Sequence, residues 1–301
     1  MALIGLITAL GSAIFDSVDN LSMKTATQVF PNARQFALVR VCVATLILFV
    51  VWLALTYVES EWIGMAGLKD GFFLTLLASG VLNALALYFQ IRALRLSDAS
   101  LVGPIQLFTP VILLVTSPIM IGQYTSPMGV VGVIIIVVGG YLLGCTRESL
   151  KNAEVFKPFL GLFYDRGVQS MFVTACIWGV TANLDRIGVG MSSPLVWSLS
   201  LYCAMTTTAF LFWFVSRADS VTLDVHTTKG AIVPGFAKAI GLLLQMYAIT
   251  VVPVPFVIAL KRTSVLMTVV MGGVLFKEKK GFRFVGVTIM FLGVLLIAFS
   301  L

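Results

Sequence analysis

The sequence predicts an all-α membrane protein whose ten transmembrane helices form two inverted five-helix repeats. Three observations carry this prediction: an apolar composition, ten runs of membrane-spanning length, and polar and glycine positions that recur in the second half. Hydrophobic residues make up 59% of the 301 residues and charged residues only 11%, with a mean hydropathy of +1.04. Soluble domains carry about 25% charged residues. The composition therefore excludes a soluble enzyme, a disordered or collagen-like chain and a nucleic-acid-binding domain.

Each predicted span is a run of roughly 20 mostly apolar residues, the length that crosses the hydrocarbon core. These runs are continuous rather than alternating, which excludes a β-barrel. The first run continues past Asp16 and Asp19, so we interpret it as a span rather than a signal peptide. The predicted spans are residues 3–24, 36–57, 71–93, 99–121, 128–146, 168–188, 194–216, 230–251, 254–276 and 283–301.

The basic residues predict the orientation of these spans. The formal net charge of +7 arises from 20 basic and 13 acidic residues. With ten spans both termini lie on one side, and most of the basic residues at span ends fall on the opposite side. The positive-inside rule then places both termini on the non-cytoplasmic side of a multi-pass protein. In a prokaryote the membrane would be the cytoplasmic one.

An internal repeat is indicated by matching marks about 155 residues apart. A shift of 155 aligns Gly80 with Gly235 and Gln90 with Gln245, and these positions share one helical face in each half. A shift of 154 aligns the glycines of the fifth span with those of the tenth. Fixed-period self-similarity of this kind is the signature of a repeat.

The repeat divides the chain into residues 1–146, a connecting loop at 147–167, and residues 168–301. Five spans per half is an odd number, so the second half enters the membrane from the opposite side. Inverted repeats of this kind are a known transporter architecture, because two nearly equivalent halves can expose a central site to either face. A duplicated scaffold without transport remains the alternative.

The stretch from Ala93 to Pro104, followed by Thr109 and Pro110, resembles the third-to-fourth-span signature of the EamA family in the drug/metabolite transporter superfamily. Its counterpart in the second half runs over residues 259–264. The resemblance implies a ten-helix bundle with a central cavity and transport by alternating access. The sequence departs from the family in two ways. Gln123 replaces the glutamate that is usual at the end of the fourth span. Many members carry their basic residues on the side of the termini, whereas here most of them lie on the opposite side.

Ionisable residues inside the spans are the candidate functional residues, because each costs about 2.5–3.5 kcal/mol at the bilayer centre. The doublet Lys261-Arg262 predicts an anion site, since arginine grips carboxylate or phosphate bidentately. Snorkelling of both side chains to the interface is the alternative. The doublet is also similar to the phosphate-binding pair of the plastid phosphate translocators. We predict six substrate-binding residues: Lys261, Arg262, Lys238, Asn83, Gln106 and Gln245.

Three carboxylates are predicted either to carry a coupling proton or to form structural ion pairs: Asp16, Asp19 and Asp185. Asp16 and Lys238 lie eight residues from the same membrane face, at a depth of about 12 Å, so they can meet. Asp19 and Arg40 match in the same way, nearer that face.

Several residue types limit the remaining possibilities. A single histidine and four cysteines without CxxC spacing predict neither a metal site nor a cofactor. We interpret Trp52, Trp62, Trp197 and Trp213 as anchors at the membrane interface. The glycines of the fifth and tenth spans predict close helix contact, either between the halves or between protomers.

These features predict a secondary transporter of a small metabolite, anionic or zwitterionic, and not an enzyme. No Walker A motif is present, so ATP does not drive it directly. Neither GxSxG nor paired GxGD aspartates occur, which disfavours an intramembrane enzyme. A flippase for a lipid-linked substrate, or an accessory subunit of one, remains the alternative. Expected partners are the substrate and membrane lipids, without nucleic acid, in a monomer or homodimer.

Overall fold

The regular structure of the described residues is helical throughout. The computed structural model describes residues 1–29, 33–59, 67–97, 99–144, 157–215, 225–264 and 283–301. The helices are α1 Ala2–Val29, α2 Ala33–Glu59, α3 Phe72–Leu96, α4 Ala99–Gln106, α5 Thr109–Ile121, α6 Pro127–Gly144, α7 Lys157–Tyr164, α8 Arg166–Met191, α9 Pro194–Val215, α10 Val225–Val251, α11 Val254–Lys261 and α12 Arg283–Ser300.

Six stretches of the described residues are helical, long and apolar enough to cross a membrane. They are Ala2–Ser22, Gln35–Tyr57, Phe72–Leu96, Val102–Ile121, Pro194–Leu211 and Thr228–Val251. Two apolar helices are shorter, Pro127–Leu142 and Val285–Ser300. The predicted sixth span lies within α8, and the predicted ninth span is described only as far as residue 264. The structure thus supports an integral multi-pass protein, and the count of ten spans stays a prediction.

Prolines interrupt the predicted fourth span, which consists of the two helices α4 and α5. Pro104 lies inside α4 and Pro110 stands in the first turn of α5, with a turn between the two helices. Proline lacks an amide hydrogen and removes a helical hydrogen bond, so the break follows directly from the sequence. Pro253 likewise precedes α11. A further departure is α7, which is helical although it lies in the predicted connecting loop.

Helices from the first half of the chain pack mainly against helices from the second half. The closest partners are α1 with α10, α3 with α8, and α6 with α12, while α5 packs against α11. The buried apolar core therefore joins both halves, with Leu48, Leu113, Trp197 and Phe256 among its fully buried side chains. This arrangement brings the interior faces of both halves to a common centre.

Glycines allow α6 and α12 to touch through their backbones. A Cβ atom at Gly139 would lie 2.7 Å from the Met290 nitrogen, and one at Gly293 would lie 2.8 Å from the Gly132 oxygen. Both helices belong to one chain and to opposite halves. For these glycines the contact is therefore between the halves, which resolves the two possibilities left by the sequence.

The aligned glycines of the two halves occupy corresponding contacts. Gly80 of α3 lies against α9, where an added Cβ would approach the Cβ of Ala204 to 2.8 Å. Gly235 of α10 lies against α2, where an added Cβ would approach the Arg40 oxygen to 2.9 Å. Each glycine sits on the third helical run of its half and faces a helix of the other half. The correspondence agrees with the repeat register of 155 residues.

Asp165 fixes the start of α8 outside the predicted span. Its Oδ1 accepts hydrogen bonds from the Gly167 nitrogen at 2.8 Å and the Val168 nitrogen at 2.9 Å, and another from the Ser97 hydroxyl. The Ser97 hydrogen bond, aided by the two amides, lowers the pKa of Asp165 below its ordinary value. As an N-cap that also contacts the end of α3, Asp165 sets the relative height of α3 and α8.

We expect Gly139→Leu to lower the melting temperature of the detergent-purified protein, because the new side chain would separate α6 from α12. Overpacking of this kind costs about 1–3 kcal/mol. Gly190→Ala is the matched control, since an added Cβ there meets nothing within 4 Å. A melting temperature of Gly139→Leu equal to that of the control would contradict the observed helix contact.

Candidate functional site

Polar and charged side chains from several of the described helices line a central cavity. Together with its mouth it encloses about 940 Å³ of empty space, and residues of both halves line it. Every residue that the sequence singled out as a candidate site residue lies on its wall. These residues are Asp16, Asp19, Asn83, Gln106, Asp185, Lys238, Gln245, Lys261 and Arg262.

Asp16 is the most connected charge on the cavity wall. Its Oδ1 lies 3.2 Å from the Lys261 nitrogen and 3.7 Å from the Lys238 nitrogen. Its Oδ2 accepts hydrogen bonds from the Ser264 hydroxyl at 3.2 Å and the Asn20 amide at 3.3 Å. The predicted meeting of Asp16 and Lys238 therefore occurs, and Lys261 is a partner that depth alone did not reveal. One carboxylate thus connects α1 to α10 and to the end of α11.

Asp19 and Arg40 form the second predicted ion pair. The Arg40 Nη1 donates to both carboxylate oxygens of Asp19, at 2.6 Å to Oδ2. The Lys238 nitrogen lies 3.6 Å from the same Oδ2, so Lys238 bridges Asp16 and Asp19. The Asp19 and Arg40 side chains are almost fully buried, and the pair joins α1 to α2. Three cations and two carboxylates therefore form one connected network.

The adjacent cations Lys261 and Arg262 point to different parts of the cavity. Lys261 donates to the Gln245 side-chain oxygen at 2.8 Å, beside its contact with Asp16. Arg262 donates from Nη2 to the Thr109 hydroxyl at 3.0 Å, and its guanidinium carbon lies 5.5 Å from the centre of the Trp178 ring. Arg262 is only 5% exposed. Both side chains are directed inward, and snorkelling to the interface does not describe them.

Asp185 lies on α8 and has neutral hydrogen-bond partners. Its Oδ1 accepts from the Trp197 indole at 3.1 Å and from the Ser79 hydroxyl at 3.3 Å. Trp197 is fully buried, so its interpretation as an interface anchor is wrong. Trp52 is also buried, at 9% exposed, and the side chains of Trp62 and Trp213 lie outside the described residues. Trp197 instead helps to orient a cavity carboxylate.

The amides complete the wall between the charged groups. Asn83 donates to the Ser79 carbonyl at 2.9 Å and to its hydroxyl at 3.2 Å, so Ser79 is shared between Asn83 and Asp185. Gln106 lines the cavity at the end of α4, beside the break in the fourth span. Within the ranges that the structure describes, no group of metal-ligating side chains is close enough to hold an ion.

Sequence reasoning missed the aromatic and hydroxyl side chains of the cavity. Trp178, Thr181, Tyr202 and Thr109 all line it. Such residues are ordinary components of a membrane helix, and their residue type alone does not distinguish a cavity face from a lipid face. Trp178 and Thr181 are on the same face of α8 as Asp185, at positions i, i+3 and i+7, which is the signal that could have found them.

Comparisons with known proteins were consistent with this architecture. The model of the EamA-like transporter family matches residues 3–145 and 165–299, which is most of the chain in two segments. A solved crystal structure of a protein is similar in fold, with a TM-score of 0.76 and 15% identity over 99% of this chain and 98% of that chain. No curated protein matches the sequence.

The ion pairs predict a non-additive response to mutation. We expect Arg40→Leu to lower the melting temperature strongly, because it leaves Asp19 short of its closest cation; breaking a buried pair costs about 3–5 kcal/mol. In the double variant Asp19→Leu/Arg40→Leu we expect much of this loss to be recovered, since both charges are removed. Thermal melting of the four proteins of this cycle tests the coupling. Additive effects of the two substitutions would show that the pair contributes nothing.

Proposed function

The chain belongs to the EamA-like transporter family, and from this premise we propose that it is a secondary transporter of a small anionic or zwitterionic metabolite, working by alternating access. Family membership assigns the protein to membrane transporters of small molecules, and not to enzymes. The observation that carries the finer proposal is the charged cavity at the centre of both halves. The six predicted substrate-binding residues would form its binding site, and Asp16, Asp19 and Asp185 would carry a coupling proton or form ion pairs.

The charge of the cavity supports an anionic group on the substrate. Among the described residues, four cationic side chains line it against three carboxylates, which leaves one formal positive charge in excess. Buried charges are costly unless they are compensated, so a cavity with excess cations favours a ligand that brings a negative charge. Arg262 and Lys261 are the proposed anion-binding residues. Lys238, Asn83, Gln106 and Gln245 would complete the polar wall around the substrate.

The packing supports alternating access between two five-span halves, residues 1–146 and 168–301. Cross-half pairs such as α1 with α10 and α3 with α8 surround the cavity on two sides. Relative rotation of two such halves would open the cavity to one face and then to the other. In this proposal the ten spans, the inverted repeats and the orientation with both termini outside the cytoplasm are taken over from the sequence.

Asp16, Asp19 and Asp185 are the candidates for coupling transport to protons, and Asp16 is the one whose protonation would change contacts with two lysines. It contacts Lys261 and Lys238 at the same time. Protonation of Asp16 would abolish its attraction to both lysines and free Lys261 for a substrate anion. The connection between α1, α10 and α11 would weaken in the same event. A single proton would thus change both the binding site and the helix contacts.

A melting-temperature screen of the purified protein is the first test of this proposal. The panel contains the twenty standard amino acids, uridine, glucose 6-phosphate and succinate. A compound that binds only the folded protein raises its melting temperature by mass action. Compounds that raise it are then tested for flux into proteoliposomes. Scrambling of a fluorescent phospholipid, without flux of any panel compound, would favour the flippase alternative.

We expect Lys261→Gln and Arg262→Gln each to reduce the flux of a panel anion or zwitterion by at least about tenfold, because one charge-assisted hydrogen bond contributes about 1.5–3 kcal/mol. Lys69→Gln is the matched control, since Lys69 is an exposed lysine outside the cavity wall whose side chain donates to the Gly190 carbonyl. Wild-type flux in the variant with both substitutions would refute an anion site at the doublet.

We expect Asp16→Asn to make the flux independent of a pH gradient, because the side chain can no longer gain or lose a proton. The measurement compares proteoliposome flux with and without an imposed gradient. Wild-type protein should respond to the gradient and the variant should not. A gradient response that persists in Asp16→Asn would exclude Asp16 as the coupling group.

A further inference from the structure

Arg262 is a buried cation that has no ion pair with a carboxylate in the part of the chain that the structure describes. None of the described carboxylates forms an ion pair with it, in contrast to Arg40, Lys238 and Lys261. The only hydrogen bond of its side chain within the described part of the chain runs from Nη2 to the Thr109 hydroxyl, and its buried Nε donates to nothing there. The indole of Trp178 covers one face of the guanidinium. Most of its donor capacity is therefore unused.

Asp185 is the complementary case, a buried carboxylate that has no cationic partner among the described side chains. It is 6% exposed, and no described lysine or arginine lies within ion-pair distance. Both of its hydrogen bonds, from Ser79 and Trp197, reach Oδ1. Its Oδ2 has no donor among the described residues, although the side chain lines the cavity. Within the described ranges, Arg262 and Asp185 are thus the two acidic or basic side chains of this cavity wall without an oppositely charged partner.

These two charges lie at different levels of the cavity. Trp178 marks the level of Arg262, and Asp185 follows it by seven residues on the same face of α8. Seven residues correspond to two turns, or about 10 Å along the helix axis. Thr181 and Ala182 form the wall between them. The intervening space suits a small molecule with one charge at each end.

We propose, on the basis of the proposed transport function, that this site takes a small zwitterion, with its carboxylate on Arg262 and Thr109 and its ammonium on Asp185. Two buried opposite charges that do not neutralise each other are each costly, and a ligand with both complementary charges compensates both at once. A simple anion would compensate Arg262 and leave Asp185 unpaired. A simple cation would do the reverse. The zwitterion is therefore the ligand class that both charges select.

The assignment also divides the cavity charges by task. While Asp16 is ionised, Asp16 and Asp19 pair with the three cations Arg40, Lys238 and Lys261, and Arg262 and Asp185 are the cavity charges that these described ion pairs leave for the substrate. Trp197 and Ser79 act on the substrate through Asp185, since they hold one oxygen and leave the other turned to the ligand. They are positioning residues in this arrangement.

Matched probes test the inference because each derivative of an amino acid removes one of its two charges. From the amino acids of the panel, the one that raises the melting temperature most is compared with its N-acetyl derivative, which keeps the carboxylate alone, and its methyl ester, which keeps the ammonium alone. We expect the free amino acid to bind about ten- to hundredfold more tightly than either derivative, because each derivative loses one charge-assisted hydrogen bond.

The variants give a reciprocal pattern that a merely structural role would not produce. Asp185→Asn should lose affinity for the amino acid and retain or gain affinity for the N-acetyl derivative. Arg262→Gln should lose affinity for the amino acid and retain the methyl ester. Arg262→Lys preserves the charge and should restore part of the amino-acid binding. Lys69→Gln is the control, and the melting temperature of each ligand-free variant shows that it is folded.

The outcomes separate this inference from the proposed function. Flux of succinate or glucose 6-phosphate without binding of any amino acid would overturn the zwitterion and leave the transporter intact. Equal losses for all three probes in Asp185→Asn would also overturn it. Flux of no panel compound would overturn the proposed function and the zwitterion with it.

Discussion

The cost of placing charges in hydrocarbon is the constraint on which this structure depends. An ionisable side chain at the bilayer centre costs about 2.5–3.5 kcal/mol on insertion scales, so each one must find a partner or face water. Asp16 meets this requirement for Lys238 and Lys261 at once. Because these residues come from α1, α10 and the end of α11, the same contacts determine which helices surround the cavity. The contacts that compensate the buried charges are therefore the same contacts that hold these helices together.

Depth along a helix was the most productive quantity that the sequence offered. It predicted that Asp16 meets Lys238 and that Asp19 meets Arg40, because each pair is counted from the same membrane face. It missed the contact between Asp16 and Lys261, whose depths are counted from opposite faces. The two residues approach the midplane from different sides, and the long lysine side chain closes the remaining gap. Depth therefore predicts ion-pair partners only for residues that are counted from the same membrane face.

Orientation around a helix axis was the quantity that the sequence did not contain. In a soluble protein the contrast between a polar and an apolar face shows which side of a helix is buried. Lipid is as apolar as a protein core, so this contrast disappears in a membrane helix. Trp197 was therefore assigned to the interface, whereas it is fully buried beside Asp185. The same absence of contrast hid Trp178. Length and composition predicted the helices. Which apolar and aromatic side chains line the cavity depends on how the helices pack, and only the structure shows this.

The two halves resemble each other in packing and differ in chemistry, and this difference bears on mechanism. In the repeat register Lys261 and Arg262 correspond to Gln106 and Leu107 of the first half. Leu107 is buried against Gly140, in an apolar cluster, whereas Arg262 is on the cavity wall. In the proposed transporter, similar halves would allow the cavity to exchange between two openings, and a site with Arg262 and Asp185 both in the second half would hold a two-ended substrate in one orientation.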